Sequence, residues 1–157
     1  MASSVTAMQV AQHFLALQDE DAGDLISNLK LQKLLYYAQG IHLALNGQPL
    51  YPERIEAWQH GPVVPEIYQA FKEYRARPIP VEKGKRPAIR DEAVIDFLNE
   101  VYDVFGQYSA WKLRNMTYEE PPYKEAEDSQ GEISQAAMRH YFQRCLNNET
   151  SAHDTTV

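Results

Sequence analysis

Cysteine is nearly absent: Cys145 stands alone in 157 residues, so an internal disulfide is excluded and a reducing, cytoplasmic setting is expected. No apolar run approaches the roughly 18 residues of a membrane span, so no membrane association is expected. The opening stretch, "MASSVTAMQV", has neither a basic n-region nor an apolar core, and reads as no secretory signal. Also missing are G-x-G-x-x-G, G-x-x-x-x-G-K-[ST], H-E-x-x-H and any pair of cysteines. The five histidines, His13, His42, His60, His140 and His153, lack the spacing of metal ligands. Neither a cofactor nor a metal is therefore expected.

What is present suits one soluble domain. The length can bury a real core, and 44% hydrophobic with 24% charged residues is ordinary for a globular chain. The net charge of −7 disfavours a simple nucleic-acid binder. Its distribution is uneven. Lys72 to Arg90 holds seven basic residues against two acidic ones, whereas Asp91 to Asp128 holds ten acidic against three basic. This polarisation leaves room for a nucleic-acid-binding regulatory module built on the basic 72–90 segment, with Lys83, Lys85 and Arg86 meeting phosphate. No aromatic residue interleaves those cations, however, and no helix-turn-helix signature stands out.

Periodicity predicts a mainly α fold, a single-domain bundle of about five to six helices, with a small two-stranded β-ribbon. Ser4 or Thr6 caps a first helix carrying Val10, Phe14 and Leu17. A second begins after Ser27 or Asn28 and stops at Gly47, with Leu31, Leu34, Leu35, Ala38, Ile41, His42 and Leu45 as its buried stripe. Gln32, Lys33, Tyr36 and Gln39 fall off that stripe, and Tyr37 sits at its edge. Gly40, in mid-helix, points to a close helix crossing. "RIEAWQ" alternates as a short strand, with Ile79 to Val81 as its expected partner. His60-Gly61-Pro62 reads as a turn, and Pro65 opens the next helix.

Asp91 caps a helix with the regular stripe Val94, Ile95, Leu98, Val101, Tyr102 and Phe105. Ser109 caps a short amphipathic one with Trp111, Leu113 and Met116 on its apolar side. Pro121-Pro122 ends that helix, and "YKEAEDSQG" reads as a polar connection. Ser134 caps the last helix, which carries Met138, Tyr141, Phe142 and Cys145. The domain is expected over 1–147, with residues 148–157 as a disordered tail.

Catalytic candidates are few. His60, beside a glycine and within reach of Glu56 or Glu66, has the composition of a general base, so an enzyme of unknown substrate is one alternative. The commoner role for such a histidine is anchoring its turn. Glu119-Glu120 belongs to an acidic stretch read as flexible. Cys145 lies on an apolar helix face, where an inert thiol is the norm.

"LQKLLYYAQG", then a G-x-P-L turn, then "EAWQHGPVVP" carry a more specific signal. Together with "YSAWKLRNMTYEEPPYKEA" and "GEISQAAMRHYF", they resemble the Panacea domain, or SocA-like antitoxin domain, long known as a domain of unknown function in phage-associated proteins. The resemblance spans most of Ser4 to Phe142. It departs at Tyr118 and Tyr123, where the family usually has histidine and tryptophan. It implies an antitoxin, not an enzyme, that neutralises a cognate toxin by direct protein contact; at least one branch delivers its toxin to a cytoplasmic AAA+ protease as an adaptor. The motif residues expected to bind the partner are Gln32, Lys33, Tyr36, Tyr37, Trp58, His60, Gly61 and Pro62. Arg75, Arg77, Lys83, Lys85 and Arg86 form a segment expected to tune specificity.

Overall fold

Every residue from Lys30 to Gly40 is buried, so one helix is enclosed on all sides and the rest of the chain is wrapped around it. The computed structural model describes residues 5–19, 25–80, 89–129 and 131–155. The enclosed helix is α2 (Asn28–Asn46). Around it lie α1 (Ala7–Ala16), α3 (Pro65–Phe71), α4 (Glu92–Phe105), α5 (Ala110–Tyr118) and α7 (Gln135–Thr155), all but α3 and α1 reached by extensive contact. α6 (Pro121–Ser129) packs on α7 and on the sheet. A single 3-10 turn, Lys72–Tyr74, follows α3.

The helix ends follow local chemistry. Thr6 and Gln9 form a reciprocal capping box on α1, Ser27 caps α2, and Asp91 and Ser109 cap α4 and α5. Gly47 takes the left-handed conformation, φ +73°, that ends α2. α4 shows one-sided burial at Val94, Leu98 and Val101.

The sheet has three strands rather than two, in the order β2-β1-β3, all antiparallel. β1 (Ile55–Trp58) pairs with β2 (Gly61–Val63) through the turn at Gln59-His60, and with β3 (Glu132–Ile133) on its other edge. Gly61-Pro62 is thus strand, and only the two residues before it turn. Of the expected partner, Ile79 to Val81, neither Ile79 nor Pro80 pairs with β1. Val81 lies outside the described residues, and Ile79 instead donates its N–H to the Ile26 carbonyl at 2.8 Å. Closing a hairpin within eight residues costs about 1 kcal/mol less chain entropy than closing the longer loop to Ile79.

Three further expectations change. The "polar connection" after Tyr118 is helix α6, begun by Pro121 and docked by Pro122, Tyr123 and Ala126. Leu45, placed in the core stripe, is 58% exposed, because the wrapping ends before the last turn of α2. His42 is half-buried at the rim, its Nδ1 2.7 Å from the Gln48 carbonyl.

Candidate functional site

A helix buried all round must satisfy its polar side chains internally. Those of α2 do so by gripping the chain around them. Gln32 accepts from the Val64 N–H at 2.9 Å and donates to Asn28 at 2.8 Å. Lys33 donates to the Pro62 carbonyl at 3.0 Å. Gln39 accepts from Leu50 N–H at 2.7 Å and donates to the Tyr51 carbonyl at 2.8 Å. Lys30 reaches the Gly106 carbonyl at 2.6 Å. Tyr36 and Tyr37 both donate to the Glu120 carboxylate, at 2.9 and 2.8 Å.

Of the motif residues expected to meet a partner, Gln32, Lys33, Tyr36, Tyr37, Gly61 and Pro62 therefore lie inside. They do not line an open groove. Their polarity by type suggested an outward face, but on an enclosed helix it serves the internal contacts instead. Glu120, read as part of a flexible acidic stretch, is buried at the start of α6 and joins that helix to α2. Burial pushes its carboxyl up to about 7, against the opposing pull of the Tyr37, Tyr36 and Tyr141 hydroxyls. Burial likewise pushes Lys33 down to about 7, and the Arg114 charge adds to the effect.

Two motif residues do reach the surface, Trp58 and His60, at the end of β1 and in the hairpin turn. α5 and α6 meet them there. The Arg114 guanidinium lies over the Trp111 ring at 4.1 Å and over the Tyr118 ring at 4.3 Å. Its Nε donates to His60 Nδ1 at 3.2 Å, which leaves that nitrogen as the unprotonated acceptor. The Tyr118 hydroxyl donates to the Gln59 carbonyl, and the Tyr123 hydroxyl to the Trp58 carbonyl at 2.6 Å. The two tyrosine rings stack with centroids 5.1 Å apart. Trp111, expected on the apolar side of its helix, is 58% exposed. Its spacing to Arg114 and Tyr118, three and then four residues, puts all three on one helix face. That spacing is the signal the sequence carries for this cluster.

Gly61 explains how the hairpin sits so low on α2. Its φ of +104° is unfavourable for any side chain, and a Cβ there would lie 2.7 Å from Lys33 Cε and 2.9 Å from Thr117 Oγ1. The enzyme alternative at His60 called for a general base paired with Glu56 or Glu66. Among the described residues no hydrogen bond joins it to Glu56 or Glu66, and Glu56 is held by Arg54 at 2.9 Å and Trp58 Nε1 at 3.0 Å. Arg75 and Arg77 are exposed, Arg77 bonding back to the Tyr74 carbonyl, while Lys83, Lys85 and Arg86 lie outside the described residues. Among the described residues no group of three or more His, Cys, Asp or Glu side chains is gathered to hold a metal ion. Nor is any of their helices long and apolar enough to cross a membrane.

The residues that grip and the hairpin they support coincide with a known sequence pattern. A family described as "Antitoxin SocA-like, Panacea domain" matches residues 31–124, more than half of the chain. The chain belongs to the Panacea domain family. A curated relative, Antitoxin SocA of Caulobacter vibrioides (strain NA1000 / CB15N), is 49% identical over 69 residues. That alignment takes in 43% of this chain and 36% of the relative, so the chain matches little more than a third of that protein's length. No solved structure matches. The Panacea match begins at Leu31 and ends at Lys124, just past Tyr123, and so contains α2 from Leu31 onward, the hairpin, α5 and the Tyr36–Glu120–Tyr37 contact.

Proposed function

We propose that this Panacea-domain protein is an antitoxin that neutralises a protein toxin by direct contact, through the surface formed by the Gln59-His60 hairpin and the outer face of α5. The observation that carries the reading is the Arg114 guanidinium held between Trp111 and Tyr118 at an exposed edge of a family that includes an antitoxin. Tryptophan, tyrosine and arginine are the residues that dominate binding energy at protein interfaces. Planar side chains stacked on one another lose little further freedom on docking.

The motif divides accordingly. Trp58 and His60 contribute contact surface, whereas Gln32, Lys33, Tyr36, Tyr37, Gly61 and Pro62 hold that surface in shape. Arg75 and Arg77, with the segment that follows them, discriminate between toxins.

Co-expression with the product of the adjacent gene tests the reading. The neighbour should arrest growth alone, be tolerated beside this protein, and co-purify with it. A neighbour that is harmless alone, or that still arrests growth beside this protein, defeats it. Repeating the experiment in hosts lacking individual cytoplasmic AAA+ proteases separates two routes. Occlusion survives every deletion, whereas adaptor-driven degradation fails in one of them.

A further inference from the structure

The Arg114 guanidinium is near enough to Lys33 for the two charges to act on one another. Lys33 is fully buried beneath the hairpin, and its one hydrogen bond goes to a neutral carbonyl, that of Pro62. Among the described residues Arg114 bonds neutral groups: His60 Nδ1, and Asn115 Oδ1 at 3.2 Å. The nearby carboxylates are taken elsewhere. Glu56 serves Arg54 and Trp58, Glu120 serves Tyr36 and Tyr37, and Glu119 lies 3.7 Å from Lys124. What sets this cation apart from exposed ones such as Arg75 and Arg77 is the pair of aromatic rings it lies over.

A guanidinium carries five N–H donors in a planar fork that matches a carboxylate edge-on. Its Cζ lies over both rings, and the contacts to His60 and Asn115 use only part of the donor fork. An incoming carboxylate would gain a charge-assisted hydrogen bond, and its charge would offset the repulsion between Arg114 and Lys33. Trp111 beside it offers exposed apolar area.

We propose that Arg114 is the anchor of the toxin interface, and that it receives an aspartate or glutamate side chain of the toxin flanked by an apolar residue that packs on Trp111. The inference rests on the antitoxin reading and adds the chemistry of the partner. Arg114 fixes orientation by its bidentate donors, Trp111 supplies apolar area, and Tyr118 supports the guanidinium from beneath its own helix turn.

Binding of the full-length chain to the purified product of the adjacent toxin gene is measured by titration calorimetry at two salt concentrations. Arg114→Gln and Trp111→Ala should each weaken affinity by roughly 30-fold or more, as expected for central interface anchors. Arg114→Glu should weaken it further, and an Asp→Arg or Glu→Arg change at one acidic position of the toxin should restore it. Added salt should weaken the wild-type complex more than the Arg114→Gln complex. Because both side chains are at the surface, circular dichroism melts of the variants should match the parent. If the wild type binds and neutralises while Arg114→Glu and Trp111→Ala bind within about threefold of it, the anchor is disproved and the antitoxin reading stands. If the wild type neither binds nor neutralises, both fall. Arg114-dependent retention of a DNA duplex, with no toxin binding, overturns the protein carboxylate as the ligand.

Discussion

Gly40 of α2 faces the ring of Phe142 of α7 so closely that a Cβ on Gly40 would lie 2.1 Å from Cε2 and 2.3 Å from Cδ2. The glycine therefore sets how near the two longest helices approach. In an exposed helix, alanine would be preferred to glycine by about 1 kcal/mol. Here the ring has to move within a packed core, and overpacking of that kind costs about 1–3 kcal/mol. Gly40→Ala should lower stability in urea unfolding by up to about 2 kcal/mol net. In a Phe142→Ala background the same change should be neutral or stabilising, because the obstruction is gone. A Gly40→Ala protein as stable as the parent in both backgrounds would show that the crossing has slack.

How much of this was legible depended on whether burial was one-sided. α4 buries one stripe, so Val94, Leu98 and Val101 announced it at helical spacing. Gly40 also announced a close crossing. α2 was recognisable as a helix, but enclosure on all sides leaves no polar face to read, and Gln32, Lys33 and Gln39 passed for surface. α6 was hidden because Lys124, Glu125, Glu127 and Asp128 outnumber its docking residues. β3 pairs with a strand far back in the chain, and two residues carry no period. At the candidate site the motif supplied Trp58 and His60. Arg114 and Trp111 come from a separate helix, and their meeting with the hairpin is a tertiary event.

The Tyr36–Glu120–Tyr37 contact makes stability depend on pH in a particular direction. The folded carboxyl titrates at about 7 instead of 4.5, so between those values the folded state keeps a proton that the unfolded state releases. Stability from this group is complete below pH 4.5 and is lost as pH rises through 7. The loss amounts to about 1.4 kcal/mol per pH unit inside the window. Glu120→Gln, which keeps an acceptor for one tyrosine, should remove that slope. The measurement is the difference in unfolding free energy between parent and variant from pH 5 to pH 7.5. A constant difference would mean that the carboxylate is ionised throughout.

Lys33 gives the opposite limb. Its amine titrates at about 7 in the fold and at 10.5 when unfolded, so from pH 7 upward the folded state is the one that has released the proton. Below pH 7 the charged amine carries its full burial penalty; that penalty is relieved as pH rises toward 10.5. Lys33→Met keeps the length of the side chain and removes the titration. Relative to it, the parent should gain about 1.4 kcal/mol per pH unit above 7. At pH 6 the variant should be at least as stable as the parent, since the lost hydrogen bond to Pro62 is offset by the absence of a buried charge. A parent that is several kcal/mol more stable than Lys33→Met at pH 6 would contradict this.

Tyr118 and Tyr123 hold the hairpin by their hydroxyls, one on the Gln59 carbonyl and one on the Trp58 carbonyl. Each Tyr→Phe change removes one such bond and should cost about 0.5–1.5 kcal/mol. Amide hydrogen exchange should quicken first in β1 and β2, whose ladder those bonds support. The two positions differ in what else they do, because only Tyr118 lies against the Arg114 guanidinium. Tyr118→Phe keeps a ring there, so toxin affinity should fall only by the effect of a looser hairpin. Tyr118→Ala removes the ring as well and should weaken binding about tenfold further, in line with a cation–π contact of about 1 kcal/mol and the lost stacking area. Tyr123→Ala should show no such second step once its loss of stability is taken into account. Equal affinities for Tyr118→Phe and Tyr118→Ala would remove the ring from the interface and leave Arg114 to act with Trp111 alone.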